Sequence, residues 1–538
     1  IWVVRWLTLD NASRVRNTKL PGIGFAPETK RFYPNMEIAA HVIGFTGSDP
    51  NGLEGIELKY DSTIMGNTGY MITERDALGR NIAVKSTVIK NPSPGKSVIL
   101  TLDKTIQFIA EKELAKAVTE SNAKSGMALV MEPETGKVLA MANYPTFNPN
   151  SYSRYSLPQL RNHVVTDSFE PGSTFKIFTI AAAVDTGLVR PTDVYNCENG
   201  VYKISGRTIH DDHPHSRLSV SEVIKYSSNI GTAKIASKLG DGKMTRYLRN
   251  FGFGGRTGID LPGESTGNLR QRLYGIDLAT ISFGQGVSLS TIQLVSAMSA
   301  IANGGNLMKP YLVERIMNED GTEVQHFEPQ LVRRVISAET AAKVSKMMET
   351  VTAKGGTGTN AAVEGYRVAG KTGTAQKVDQ VTRTYSLTKR IGSFVGFVPA
   401  ENPKLTIAVI IDEPQGNKYG GVVAAPAFRN IARNSLAYLK VQPTMPIDRS
   451  AKPPEESDSE DTDESETTSE RDFVENLDVN GAMPNFRGMS MRQVLQVMEE
   501  RGINIRLIGS GRAVEQSPIP GQQIRGSGKV WIKFTPSA

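Results

Sequence analysis

"SGMALVMEPETGKVLAMANYP", Ser125 to Pro145, is two apolar runs separated by a Glu-Thr-Gly turn. Each run is too short for a helix with a buried face, and the turn residues between them read as a β-hairpin. A second hairpin lies far downstream: "IGSFVGFVP" (Ile391–Pro399), then "ENPK", then "LTIAVIID" (Leu405–Asp412). Between the two hairpins the apolar residues recur at helical spacing, as in Leu218–Lys238 and Thr291–Asn303. Hairpins at both ends of a helical insertion predict one antiparallel sheet assembled from distant segments and covered by helices. Just upstream, "SVILTLD" reads as a strand, and Ile106, Ile109, Ala110, Leu114, Ala117 and Val118 then mark a helix.

Moving outward, 538 residues are too many for one ordinary core. "NPSPGK" (Asn91–Lys96) punctuates the chain and suggests a boundary. Before it, residues 1 to about 88 read as strand-and-turn rich, with helical patches on either side of a Gly/Pro/Asn/Asp cluster and a hairpin about Ala77-Leu78-Gly79. "IWVVRWL" at the start is interrupted by Arg5 and reads as a strand or packed edge, too short to span a bilayer. The chain begins with Ile, so the expectation is a fragment with an anchor or signal upstream. After about Leu439, "RSAKPPEESDSEDTDESETTSERD" has almost no apolar residue and reads as a self-repelling, flexible linker. Order returns in "SMRQVLQVMEERGI", an amphipathic helix ended at Gly502, followed by the Pro/Gly turn of "VEQSPIPGQQI" and the alternating strand "KVWIKF". This is a small separate module.

Ten acids and one arginine between Glu455 and Asp472 split the formal +7 into −9 there and +16 elsewhere. A basic body fits a polyanionic neighbour such as an acidic wall polymer or membrane surface. No basic helix or aromatic platform favours nucleic acid. The single cysteine, Cys197, excludes an intramolecular disulfide and the usual zinc and redox motifs, and reads as a small packed residue.

The chemistry lies within "FEPGSTFKIF", Phe169 to Phe178. Pro171 and Gly172 break the chain, and a mostly apolar helix follows with Ser173 at its threshold and Lys176 one turn on. At i and i+3 the two side chains share a face, so the amine can reach the hydroxyl. To act as a base Lys176 must be neutral, which burial among Phe175, Ile177 and Phe178 or a neighbouring cation would favour. A lone S-x-x-K is common by chance. Two further motifs change its weight. "YSSNIG" supplies Ser227-Ser228-Asn229, a hydroxyl to relay a proton and a carboxamide to hold an amide. "VAGKTGTAQ" supplies Lys371-Thr372-Gly373-Thr374 on a strand, a cation and two hydroxyls suited to a carboxylate, with a strand N–H for an oxyanion. S-x-x-K, S-x-N and K-T-G in this order form a set shared by penicillin-binding proteins and class A β-lactamases.

On these motifs the chain resembles a class B penicillin-binding protein of the division or sporulation type. "RFYPNMEIAAHVIGF" and "NGLEGIELKYD" resemble the family's N-terminal pedestal, and "MPNFRGMSMRQVLQVMEERG" with "QSPIPG" resembles a PASTA module. The resemblance implies a multidomain α+β protein. Its parts would be a β-rich pedestal (dimerisation-type) domain at 1–95, truncated at its start, and a transpeptidase domain of serine β-lactamase-like fold at 96–445. An acidic linker at 446–475 and a PASTA domain at 476–538 would complete it. It implies a D,D-transpeptidase that cross-links peptidoglycan stem peptides through an acyl-enzyme on Ser173, in septal or spore wall synthesis, with β-lactams as covalent inhibitors. Lys176 would take the serine proton, Ser227 would protonate the leaving D-alanine and Asn229 would position the peptide amide. The N–H groups of Ser173 and Thr374 would hold the oxyanion, while Lys371, Thr372 and Thr374, on the strand that Gly373 opens, would bind the terminal carboxylate. No cofactor or metal is implied. The donor and acceptor would be lipid-linked precursor or nascent glycan. A glycosyltransferase and division proteins would be partners. The site of action would be the outer face of the cytoplasmic membrane, with a membrane helix and an Arg-Gly-containing segment that this chain lacks.

Two enzymatic alternatives, a D,D-carboxypeptidase and a serine β-lactamase, would pass the acyl group to water, and the sequence offers no identifiable second base for that. A non-turnover β-lactam sensor or wall-binding protein is the alternative outside enzymes. "HDDHPH" (His210–His215) packs imidazoles and carboxylates as a metal site does, yet Pro214 marks it as a loop, with His210 and Asp211 as candidates for the cleft rim. "KGGTGTNAAVEG" lacks the lysine of a phosphate loop and reads as a mobile connection ahead of the Lys371 strand. Gly44, Gly47 and Gly55 read as turn or packing glycines.

Overall fold

The computed structural model describes residues 2–26, 28–67, 69–72, 87–91, 93–273, 275–379, 384–446, 482–501, 505–523 and 530–535. Its centre is the predicted antiparallel sheet. Five strands run in the order Ala369–Val378, Tyr385–Val398, Leu405–Asp412, Ser125–Met131, Val138–Tyr144. Both hairpins form, and they meet where Thr406 pairs with Met131 and Asp412 with Ser125. The strand that carries Lys371 lies at the edge.

Both faces of this sheet are covered. Phe394 packs with Ile106, Leu114 and Phe428, from the helices Lys104–Glu120 and Ala425–Tyr438 on one side. Its neighbour Val395 faces the other core, with Phe178, Val295 and Met298 from the helices Lys176–Asp185 and Thr291–Ala302. Burial on both faces explains why "LTIAVIID" is almost continuously apolar and not alternating. The helix Thr291–Ala302 is buried from Thr291 to Ile301, including Gln293, whose amide donates to the carbonyls of Gly255 and Thr266. Helix starts are fixed locally by side chains that satisfy first-turn N–H groups: Asp103 accepts from Thr105 and Ile106, and Ser219 with Glu222 and Ser290 with Gln293 form capping boxes.

Among the described residues of the N-terminal region the regular structure is four short helices, Leu9–Asn17, Ala40–Ile43, Gly55–Lys59 and Asp61–Met65, and one strand pair, Tyr70–Ile72 with Thr87–Lys90. The strand content expected there is confined, among the described residues, to that pair. The turn predicted at Ala77–Gly79 lies outside the described residues. "IWVVRWL" is corrected: Trp2 to Leu7 forms neither helix nor strand, and Val3 is 90% exposed. Among the described residues no strand pairs with it, and it is tied instead by Arg5, which binds Glu28 and Asp49. Gly44 and Gly55 hold the packing role foreseen, since a β-carbon on Gly44 would lie 1.8 Å from the Glu54 carbonyl oxygen. The strand Ser97–Leu100 joins Val313–Met317 in a small separate sheet.

The C-terminal module contains the helix Met491–Arg501 and strands Arg506–Gly509, Arg512–Ser517 and Trp531–Thr535. The first of these strands, which the sequence reading passed over, pairs parallel to the last. The module docks on the body. Its Phe486, Val494 and Leu495 belong to one apolar cluster with Ile38, Ala39 and Phe108. Beside them the Glu111 carboxylate accepts from the Ala39 N–H and Gln107, each at 2.8 Å, and pairs with Arg492 at 3.1 Å. Three parts of the chain thus meet on one buried acid, and burial raises its pKa.

Candidate active site

Ser173 sits in a 3-10 turn, Gly172–Phe175, that leads into the helix Lys176–Asp185. Backbone contacts hold this elbow. Phe169 and Leu289 exchange hydrogen bonds of 3.0 Å, and the Gly172 N–H donates to the Gly284 carbonyl at 3.2 Å. Gly172 has φ +55° and Gly284 φ +82°, and a β-carbon on Gly284 would lie 2.2 Å from the Gly172 oxygen. Glu170 accepts from the Gly286 N–H at 2.9 Å and from the Tyr385 hydroxyl at 3.0 Å, which ties the elbow to a third segment. Neither Gly284 nor Glu170 was singled out from sequence. Their only visible signal was the glycine pair in "FGQG" and the acid beside Pro171.

Behind Ser173 lie the two lysines, both fully buried. Lys176 Nζ donates to the Ser227 carbonyl and, at 3.1 Å, to its Oγ. Lys371 Nζ donates to the same Oγ at 2.9 Å and to the Thr372 carbonyl at 3.1 Å. Ser227 therefore bridges two amines. It occupies the left-handed region, φ +62°, in the break between helices Val220–Lys225 and Asn229–Leu239, a conformation that costs a non-glycine residue energy. The sequence had suggested one helical block over Leu218–Lys238, and the break is what turns the serine towards the lysines.

Burial pushes Lys176 down to about 7, against the opposing pull of Asp211 and Asp212. Burial, then repulsion from Lys176, holds Lys371 well below the ordinary lysine value. Two buried ammonium groups sharing one acceptor cannot both be favourable without an anion.

Asn229 opens its helix and donates through Nδ2 to the His210 carbonyl at 2.7 Å. Asp211 does not line the cleft. One of its oxygens accepts from the N–H groups of Asn229 and Ile230 at 2.6 and 3.0 Å, and the other accepts from Ser228 at 2.6 Å. An acid at a helix N-terminus satisfies orphan donors and the positive dipole end. Replacing Asp211 with Ala should destabilise the protein by about 1–2 kcal/mol, within the range of lost helix caps. It should also slow acylation by displacing Asn229, and thermal melting with timed penicillin labelling would check both effects. Of the other "HDDHPH" side chains, His215 bonds the His213 carbonyl and stacks on Tyr226.

On the edge strand, Thr372 bonds Thr357 at 2.9 Å, and Thr374 Oγ1 accepts from the Gly420 N–H at 3.3 Å. Thr357 belongs to the connection expected to be mobile, and its Gly358 is packed so that a β-carbon would lie 2.9 Å from Phe394. Gly373 is required by close approach: a β-carbon there would lie 2.3 Å from Ser393 Oγ and 2.9 Å from Thr174. Of the predicted residues, Ser173, Asn229 and Thr374 line a cleft of about 1080 Å³ between the helical part and the sheet. Lys176, Lys371, Thr372 and Gly373 are buried behind it. Asp212 and His210, the latter a rim candidate from the sequence, complete the near wall.

An elbow serine before two buried lysines and an edge strand has the groups that acyl transfer uses. The chain matches the penicillin binding protein transpeptidase domain over residues 126–433, the penicillin-binding protein dimerisation domain over 3–100 and the PASTA domain over 481–535. It belongs to the penicillin-binding protein transpeptidase family. Among its relatives is the probable peptidoglycan D,D-transpeptidase PenA of Neisseria gonorrhoeae, 39% identical over 84% of this chain and 76% of that protein. Another is the stage V sporulation protein D of Bacillus subtilis, 34% identical over 99% and 79%. A crystal structure of penicillin binding protein 3 from Mycobacterium tuberculosis, complexed with aztreonam, matches with a TM-score of 0.70 at 33% identity, over 78% of this chain and 92% of that one.

Proposed function

We propose that this protein is a peptidoglycan D,D-transpeptidase of septal or sporulation wall synthesis, acting through an acyl-enzyme on Ser173. The observation that carries the residue roles is the Ser227 hydroxyl held between Lys176 and Lys371 at 3.1 and 2.9 Å, with Lys176 one turn on from Ser173.

Ser173 Oγ attacks the carbonyl of the penultimate D-alanine while the neutral Lys176 amine takes its proton. The N–H groups of Ser173 and Thr374 stabilise the oxyanion, the second being available because an edge strand has unpaired N–H groups. The donor's terminal carboxylate binds near Lys371, Thr372 and Thr374. Its negative charge relieves the repulsion between the lysines and favours a proton on Lys371. Collapse of the tetrahedral adduct breaks the C–N bond, and the leaving amine takes a proton relayed through Ser227. Asn229 holds the donor's amide. An acceptor amine then attacks the ester, releases Ser173 and forms the cross-link. A β-lactam forms the same ester, with a leaving group that stays attached.

A donor and acceptor assay tests this reading: cross-linked dimer supports it, and only hydrolysed donor would make the enzyme a carboxypeptidase. We further infer a place on the outer face of the cytoplasmic membrane, with a membrane anchor, and partnership with a glycosyltransferase and division proteins. No helix among the described residues is long and apolar enough to cross a membrane. Co-purification of a glycosyltransferase from envelope extracts would support the partnership.

A further inference from the structure

We propose that the outer end of the cleft is a carboxylate subsite centred on the Arg390 guanidinium. It would hold an acid group of the acyl donor one or two residues upstream of the scissile bond. This rests on the transpeptidase reading and adds a substrate feature to it.

The strand register places the group. Across the edge of the sheet Thr374 opposes Gly392, and Gln376 opposes Arg390. Directly opposed residues project on one face, and so do residues two apart along a strand, so Thr374, Gln376 and Arg390 share a side. Two strand residues span roughly 7 Å. Arg390 therefore stands about that distance beyond Thr374, towards the open end of the cleft, which it lines. A peptide extended along an edge strand, with its reacting carbonyl at Ser173 and Thr374, carries its preceding residues past this point.

The charges nearby leave Arg390 uncompensated. Arg390 is half-buried, and its guanidinium makes no hydrogen bond or ion pair among the described residues. Asp412 and Glu413, beside it on the next strand, are each occupied by Lys377 at 2.8 Å. On the opposite wall Asp277 is paired with Arg270 at 2.8 Å. Lys418, on the loop over the sheet edge, lines the same end and adds a positive charge, while donating to the Thr388 carbonyl at 2.6 Å. Of the other acids, Glu170 accepts from the Gly286 N–H and the Tyr385 hydroxyl, and Asp212 acts on Lys176 and Lys371 at the inner end. The outer end is thus net positive, with one planar donor fork partly stripped of water. That arrangement favours a carboxylate, which a guanidinium can bind through two parallel charge-assisted bonds, over a carboxamide.

The test uses this chain with synthetic pentapeptide donors ending in two D-alanines and a free D-amino acid as acceptor, the exchanged peptide being followed by mass. Donors carry carboxylate or carboxamide separately at the side chain of the third residue and at the free α-position of a γ-linked second residue. The wild type should favour carboxylate at one of these positions by about tenfold in kcat/KM, mainly through KM, as expected for one charge-assisted contact. The favoured position identifies the source of the acid. Arg390→Gln should remove the preference, and Arg390→Lys should keep part of it. A fold defect would slow all donors alike and leave their ratio unchanged. Equal exchange of all donors by the wild type overturns the subsite, as does an Arg390→Gln variant that keeps the wild-type ratio. A wild type that exchanges no donor overturns the transpeptidase reading itself, and the subsite with it.

Discussion

Ser173→Ala is expected to abolish covalent labelling by a fluorescent penicillin and to lower transpeptidation by at least about a thousandfold, the order seen when a nucleophile is deleted. The effect should be this large because no other hydroxyl has the same surroundings. Ser227 is turned towards the two amines, and Ser228 is buried with its hydroxyl donating to Asp211. The elbow should survive the change. It is held by the Phe169–Leu289 and Gly172–Gly284 backbone bonds and by Thr174 Oγ1, which donates to the Pro171 carbonyl at 2.9 Å. An unchanged melting temperature with no labelling is the expected pair of results. Persistent labelling of the variant would remove Ser173 from the mechanism.

Lys176→Arg should cost about 10²- to 10⁴-fold in the acylation rate, because a guanidinium keeps its charge and cannot accept the serine proton. Lys176→Met, which removes the charge altogether, should be as inactive, and this separates loss of the base from poor accommodation of the larger group. In the wild type the acylation rate should rise with pH and level off above about 7, where the Lys176 amine becomes neutral. Stability should carry the same signature. The folded-state pKa of about 7 lies below the ordinary lysine value of 10.5, so the unfolded chain binds the extra proton between these values. Stability therefore rises with pH across that window and is lost as pH falls towards 7. Lys371, also depressed, acts in the same direction. Rates of penicillin acylation against pH and denaturant melts at several pH values would check both. A flat acylation profile from pH 6 to 9 would exclude a titrating base at Lys176.

Much of this site was legible before any coordinates. Ser173, Asn229 and Thr374, which line the cleft, each came with a local signature: a chain break before a helix, a serine-rich helix end, a glycine in a strand. Asp211 was harder. It could be suspected of lining the rim, but its three bonds to residues 228–230 depend on a hairpin returning to a helix N-terminus. Glu170 and Gly284 carried no distinctive pattern, since the partners of both, Gly286 and Gly172, lie far away along the chain. The start of the chain misled, because apolar residues such as Trp2 and Val3 suggest a strand only if a neighbour offers hydrogen bonds.

Local periodicity, turn chemistry and composition are written residue by residue, and they carry the central sheet, its helical insertion, the acidic break before the last module and the candidate residue types. That both lysines meet on Ser227, that burial lowers both their pKa values and repulsion from Lys176 lowers that of Lys371 further, that the C-terminal module closes over Glu111, and that Arg390 is left without a counter-charge follow from the fold alone. Each depends on which distant segments share a volume and how much water they exclude. Desolvation and Coulomb energy are set by that three-dimensional neighbourhood, and spacing along the chain does not record it.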